Sequence, residues 1–134
     1  MSAIKVIRAL LAADAAVLAL VPATRIVAGV LPQGTALPAL AITEVSRTDR
    51  NILRPGSTAR STARVQVTAI AASYAAQKTL LQAVRHACRD KIGTVAGVPG
   101  VAVLLDGTGP DFNDSDTAFF MQTQDFMVGY TEPT

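Results

Sequence analysis

At Ser73 the hydrophobic period of the sequence changes. From Arg64 to Ala72, Val65, Val67 and Ala69 alternate with Gln66, Thr68 and Ile70, which is the period of a strand. From Tyr74 to Ile92 the residues Gln77, Leu80, Leu81, Val84, Cys88 and Ile92 fall on one helical face, with Lys78, Gln82, Arg85 and Arg89 on the opposite one. Ser73 is placed to cap this helix at its start and Gly93 to end it. A strand that runs straight into an amphipathic helix has to bury the helix stripe against a sheet, so the chain is expected to be a layered α+β protein.

The remaining segments fit that plan. Residues 3–20 carry Val6, Leu10, Ala13 and Val17 at helical spacing, and Pro22 closes the run because it cannot continue the helix ladder. A short apolar segment, Arg25 to Val30, predicts a first strand ending at Pro32-Gln33-Gly34, and Pro38 to Ser46 alternates as a second. Arg47 to Ala63 reads as a long polar loop turning at Pro55-Gly56. After the second helix come a connector, Gly93 to Gly100, a short strand, Val101 to Leu105, and an acidic loop, Asp106 to Asp116. Thr117 to Tyr130 predicts a long closing strand. The expectation is a single domain over residues 1–134: a mainly antiparallel or mixed sheet of four to five strands, two helices on one face, and a long loop between strands two and three.

The composition bears on how such a domain could be stabilised. Half of the residues are hydrophobic, but only 4% are aromatic and there is no Trp, so the core rests on Ala, Val and Leu. Small side chains bury less area each, and hydrophobic stabilisation follows buried area. That favours a protein which buries more surface by associating with other copies. The net charge of +2 is modest for a nucleic-acid binder, and one cysteine, Cys88, allows no internal disulfide. The N-terminal Lys5 and Arg8 before an apolar run resemble a secretion signal, but Asp14 interrupts that run, which is also too short to span a bilayer.

A catalytic constellation is not evident. His86 has no second histidine to share a metal with, and Cys88 lies on the apolar helix face, where thiols are inert. Ser57 and Ser61 stand in no strand–turn–helix elbow, and Gly107-Thr108-Gly109 lacks the Lys-Ser/Thr of a phosphate loop. Asp111, Asn113 and Ser115 have the spacing of a calcium loop, but Asp116 replaces its glycine and Gln122 its glutamate, which excludes an EF-hand. The chain is therefore read as a non-enzyme without cofactor or metal. Its charges are more informative: Arg47, Arg50, Arg54, Arg60 and Arg64 gather in or beside the long loop, and Asp106, Asp111, Asp114 and Asp116 in the late loop. Either these are two solvated loops, or they are complementary surfaces that set the register between subunits or against a partner. Nucleic-acid contact by the arginines is a further option, weakened by the absence of interleaved aromatics.

The order of these segments resembles the tail completion, or tail terminator, family of long-tailed bacteriophages, prophages and gene-transfer-agent particles. The resemblance is carried by "IRALLAADAAVLALVPATRI" from Ile7 to Ile26, Pro32-Gln33-Gly34, "LPALAITEVS", "ARVQVTAIAASYAAQKTLLQAV" and the closing "QDFMVGY". The sequence departs from the family at Ala39, Leu40 and Ala41, where aromatics are common. The resemblance implies a structural protein that forms a ring, a hexamer, on the head-proximal end of a tail tube, ending polymerisation and offering a head-joining surface. Its partners would be further copies of itself, the tail tube protein and a head-completion or connector protein. DNA would only pass through the lumen, and no membrane is involved. It would occupy the host cytoplasm during assembly and then the head–tail junction of the virion. Another head–tail connector or minor tail component, or a small nucleic-acid-binding regulator, are the alternatives.

Overall fold

The computed structural model describes residues 2–29, 37–50, 58–114 and 119–133. Three α-helices occur among them: α1 (Ser2–Ala13), α2 (Ala15–Leu20) and α3 (Tyr74–Cys88). The strands are β1 (Ile26–Ala28), β2 (Ala39–Arg50), β3 (Thr58–Ala71), β4 (Lys91–Val95), β5 (Val98–Thr108), β6 (Phe112–Asp114) and β7 (Phe119–Pro133). They form one sheet in the order β1-β2-β3-β7-β5-β4, with β6 added to β7. Only β1 pairs in parallel, with β2; the other pairings are antiparallel. The α+β class stands as the sequence predicts, but seven strands and three helices replace the four to five strands and two helices expected.

Alternation on β3 and β7 sets the layers. Ala63, Val65 and Val67 lie opposite Val128, Phe126 and Gln124, and all six are buried. Leu40 and Ile42 extend this face on one side, and Val101 and Val103 on the other. The helices cover it: Ala3, Val6, Ile7 and Leu11 of α1, Val17 of α2, and Leu80, Leu81, Val84, Ala87 and Cys88 of α3 join the same apolar cluster. Its two largest side chains, Tyr130 and Phe126, both come from β7.

Four expectations are corrected. The predicted helix over 3–20 is two helices, because Asp14 leaves the helical conformation and its carboxylate accepts hydrogen bonds from the Ala16 and Val17 amides, capping α2. The second helix stops at Cys88 and is closed by Arg89; Asp90 takes a positive φ of 56° and sends the chain into β4, so Ile92 is a strand residue and Gly93 is not the cap. The connector from Gly93 to Gly100 is mostly strand, forming a tight β4–β5 hairpin turning at Ala96-Gly97. Most of the long polar loop is also strand: β2 runs on to Arg50 and β3 begins at Thr58, with Arg47 facing Ala63 and Arg50 facing Arg60. The turns at Pro32-Gln33-Gly34 and Pro55-Gly56 lie outside the described residues.

Candidate functional site: an arginine-bearing arm and an acidic edge

Where β2 and β3 continue past the helix-covered core, they form an arm whose third strand is the end of β7, Thr58 facing Pro133. Little apolar surface is available here, and charged side chains tie the strands together. Arg47 pairs with Asp49 at 3.2 Å, and the Ser61 hydroxyl donates to the other oxygen of the same carboxylate. The Ser61 bond and then the Arg47 charge hold the Asp49 carboxyl below its ordinary range, and Asp49 and next Tyr130 raise the Arg47 guanidinium.

Arg60 lies across three strands on the face that the helices leave bare. Its guanidinium donates to the Gly100 carbonyl after passing over Gly129. A Cβ at Gly129 would lie 2.7 Å from the Arg60 Nη2, and one at Gly100 would lie 2.8 Å from the Thr131 hydroxyl. Gly100 also has a φ of +65°, so its backbone favours glycine, whereas a side chain at Gly129 would meet only the movable end of Arg60.

Further along the same bare face, Arg64 bridges two carboxylates, Asp125 at 2.7 Å and Asp106 at 3.5 Å, while Gln66 donates to the second oxygen of Asp125 at 3.2 Å. The Asp125 side chain is only 10% exposed, so this group requires its partners. The bond to Asp125, then the Asp106 charge, raises the Arg64 guanidinium. Thus one arginine of the basic set and one aspartate of the acidic set meet inside a single chain.

The acidic segment is less of a loop than the sequence suggests. Asp106 belongs to β5, and Phe112–Asp114 forms β6 against Phe119–Met121. Asp111, between the two strands, accepts from Lys78 Nζ at 2.6 Å and from the Tyr74 hydroxyl at 2.7 Å, which fastens this segment to the start of α3. Lys78 also donates to Gln122, whose amide donates to the Gly109 carbonyl. The bonds from Lys78 and Tyr74 hold the Asp111 carboxyl below its ordinary range, and the bond to Asp111 raises Lys78. Sequence reasoning missed this latch; the single signal for it was Lys78 standing one helical turn from Tyr74.

Of the predicted residues, Arg50 and Asp114 lie on β2 and β6 without a described side chain, and Arg54 and Asp116 fall outside the described residues. So does Ser115 of the calcium-like spacing, whose Asp111 is taken by Lys78 and Tyr74. Among the described residues no three or more His, Cys, Asp and Glu side chains converge as a metal site, and no helix is long and apolar enough to cross a membrane. Cys88 is buried and its thiol is pushed up to about 12 by desolvation, which keeps it protonated and unreactive. His86 is exposed and shares a 3.1 Å hydrogen bond with Gln82.

The described residues thus make a small α+β body with charged side chains joining strands along a bare sheet face and an arm. Residues 5–131 match the family model described as tail completion protein gp17, and the chain belongs to that family. It is accordingly a structural protein of phage tails. Among solved structures, the chain is similar to one in the virion of a native gene transfer agent (GTA) particle, with a TM-score of 0.77 and 17% identity over 96% of this chain and 94% of that one. No match was found among curated proteins.

Proposed function

We propose that the protein forms a closed ring, a hexamer, on the head-proximal end of a tail tube, where it ends polymerisation and offers the surface to which the head is joined. The observation that carries this reading is membership of the tail completion family over residues 5–131. The likeness to a chain of a gene transfer agent virion supports it through the fold. A ring built on one heterologous contact has no free end, so it can stop a growing tube. In this reading the arm bearing Arg47, Arg50, Arg54 and Arg60 reaches a neighbouring subunit or the tube, and the acidic edge from Asp106 to Asp116 faces a complementary surface.

A role as a nucleic-acid-binding regulator is disfavoured. Arg47 and Arg64 are held by the chain's own carboxylates, which leaves Arg60, bound to a backbone carbonyl, as the guanidinium among these three that no carboxylate offsets.

Particles assembled without the protein are expected to carry overlong or headless tails in electron micrographs. Tails of normal length, joined normally to heads, would overturn the reading. An Arg50→Ala, Arg54→Ala, Arg60→Ala triple variant is expected to stay folded yet fail to restore tail length; full restoration would remove the arm from the contact.

A further inference from the structure

On the bare face of the sheet, apolar side chains gather beside an arginine that no carboxylate offsets. Ile92 faces Ala102 and Leu104 faces Met127 in the strand register, so these four stand together on β4, β5 and β7, on the side away from the helices. Ile92 is 85% exposed and Leu104 57%, among the most open large apolar side chains of the described residues. Two strand spacings separate Ile92 from Met127, about 10 Å. Gly129 stands in the row of Ala102 without a side chain, and the Arg60 guanidinium lies over it.

The bond from Arg60 to the Gly100 carbonyl holds the guanidinium in place without neutralising it. It uses one donor of a fork that can grip a carboxylate through two parallel hydrogen bonds. At the other border of the patch, Arg64 is shared by Asp125 and Asp106, so that group carries more negative than positive charge. A phosphate backbone calls for a run of unmatched cations, which this pairing interrupts. A second copy of the chain has few carboxylates to give. Every described aspartate is already bonded within its own chain: Asp14 caps α2, and Asp49, Asp90, Asp106, Asp111 and Asp125 stand in ion pairs. Glu44 pairs with the buried Val65 on the covered face and has one oxygen shut away from solvent.

We infer that this patch receives a segment of a different protein in which an apolar side chain stands beside a carboxylate. The apolar side chain lies on Ala102 between Ile92 and Leu104, and the carboxylate meets Arg60. Apolar side chains and a methionine with an arginine at their border are the make-up of a protein–protein contact. An arginine already held by a backbone carbonyl has less freedom to lose when the carboxylate arrives. This contact needs the chain's place in a tail particle but not its closing into a ring.

Photo-cross-linking in whole particles tests it. Benzoylphenylalanine replaces Leu104 in one variant and Ile92 in another; both positions are exposed, so the fold is kept. Irradiated particles are expected to yield a covalent pair with one other tail or head protein, with the link mapped by mass spectrometry beside an Asp or Glu. Arg60→Glu should lower the cross-linked fraction roughly tenfold or more, and reversing that partner carboxylate to Lys should restore it. Arg60→Lys, which keeps the charge, should lower it less. Links to DNA or to a second copy of this chain would overturn the inference, as would a yield untouched by Arg60→Glu. Loss in Arg60→Glu without rescue by the reversed carboxylate would overturn it too. Particles with tails of normal length and no cross-link at either position would overturn this surface and leave the ring reading standing.

Discussion

The two faces of β3 and β7 differ in what holds them. On the helix-covered face, Ala63, Val65 and Val67 meet Val128 and Phe126 beneath α1 and α3. On the bare face the same strands carry Arg60, Arg64, Gln66 and Asp125, joined by hydrogen bonds and ion pairs. Burial stabilises in proportion to area and needs no particular direction. Half-exposed ion pairs add little net stability, because solvent screens them and long side chains lose freedom. They do fix geometry, since each works in one arrangement of strands. The covered face therefore accounts for most of the folding free energy, and the bare face and arm for the shape that is offered to neighbours.

The largest test of that division is Phe126→Ala. Removing one of the two biggest side chains in a core of small residues should cost about 3–5 kcal/mol in chemical denaturation, because the surroundings cannot fully collapse on the cavity. A loss below that of an exposed charge variant would reverse the comparison. Next in size is Asp14→Ala, which removes the cap of α2 and should cost about 1 kcal/mol by the same measurement. The smallest effect is expected at the latch. Asp111 has a lowered folded value, so its contribution is complete above the ordinary carboxylate range of about 4 and is lost as pH falls through the lowered value. Lys78, raised in the fold, loses its contribution only on the alkaline side, as pH climbs through its raised value. Stability of the protein should thus dip in acid, and Asp111→Asn should flatten that part of the pH curve; an unchanged curve would remove the latch from the account.

The same division explains what could be read from the sequence. The strand before Ser73 and the helix after it were legible because packing on the covered face imposes both periods on Val65, Val67, Leu80 and Val84. The arm was not: Arg47–Arg50 and Arg60–Ser61 carry polar side chains where β2 and β3 pair, and even the buried Ser61 is a hydroxyl, so no hydrophobic alternation marks them. Ile92 misled because it stands four residues after Cys88 and prolongs the helical stripe, while the positive φ at Asp90 that ends the helix has no hydrophobic signature. Asp14 was visible as a charge interrupting an apolar run, yet its role depends on a turn that composition does not reveal. Of the candidate surfaces, the charged sets were apparent by eye. Their contacts were not, because Arg64 and Asp125 are far apart in sequence and meet only through the β3–β7 register.

Among the described residues the sheet has three short outer strands, three residues of β1, three of β6 and five of β4, and the β4 pairing is broken between Gly93 and Val95. A border of that length exposes few backbone donors and acceptors, and Lys91 would bring a charge into any strand laid beside it. At these short outer strands, copies crowded together therefore have few backbone groups with which to zip into a ribbon. Contacts made there must use side chains, where number and angle can be selected.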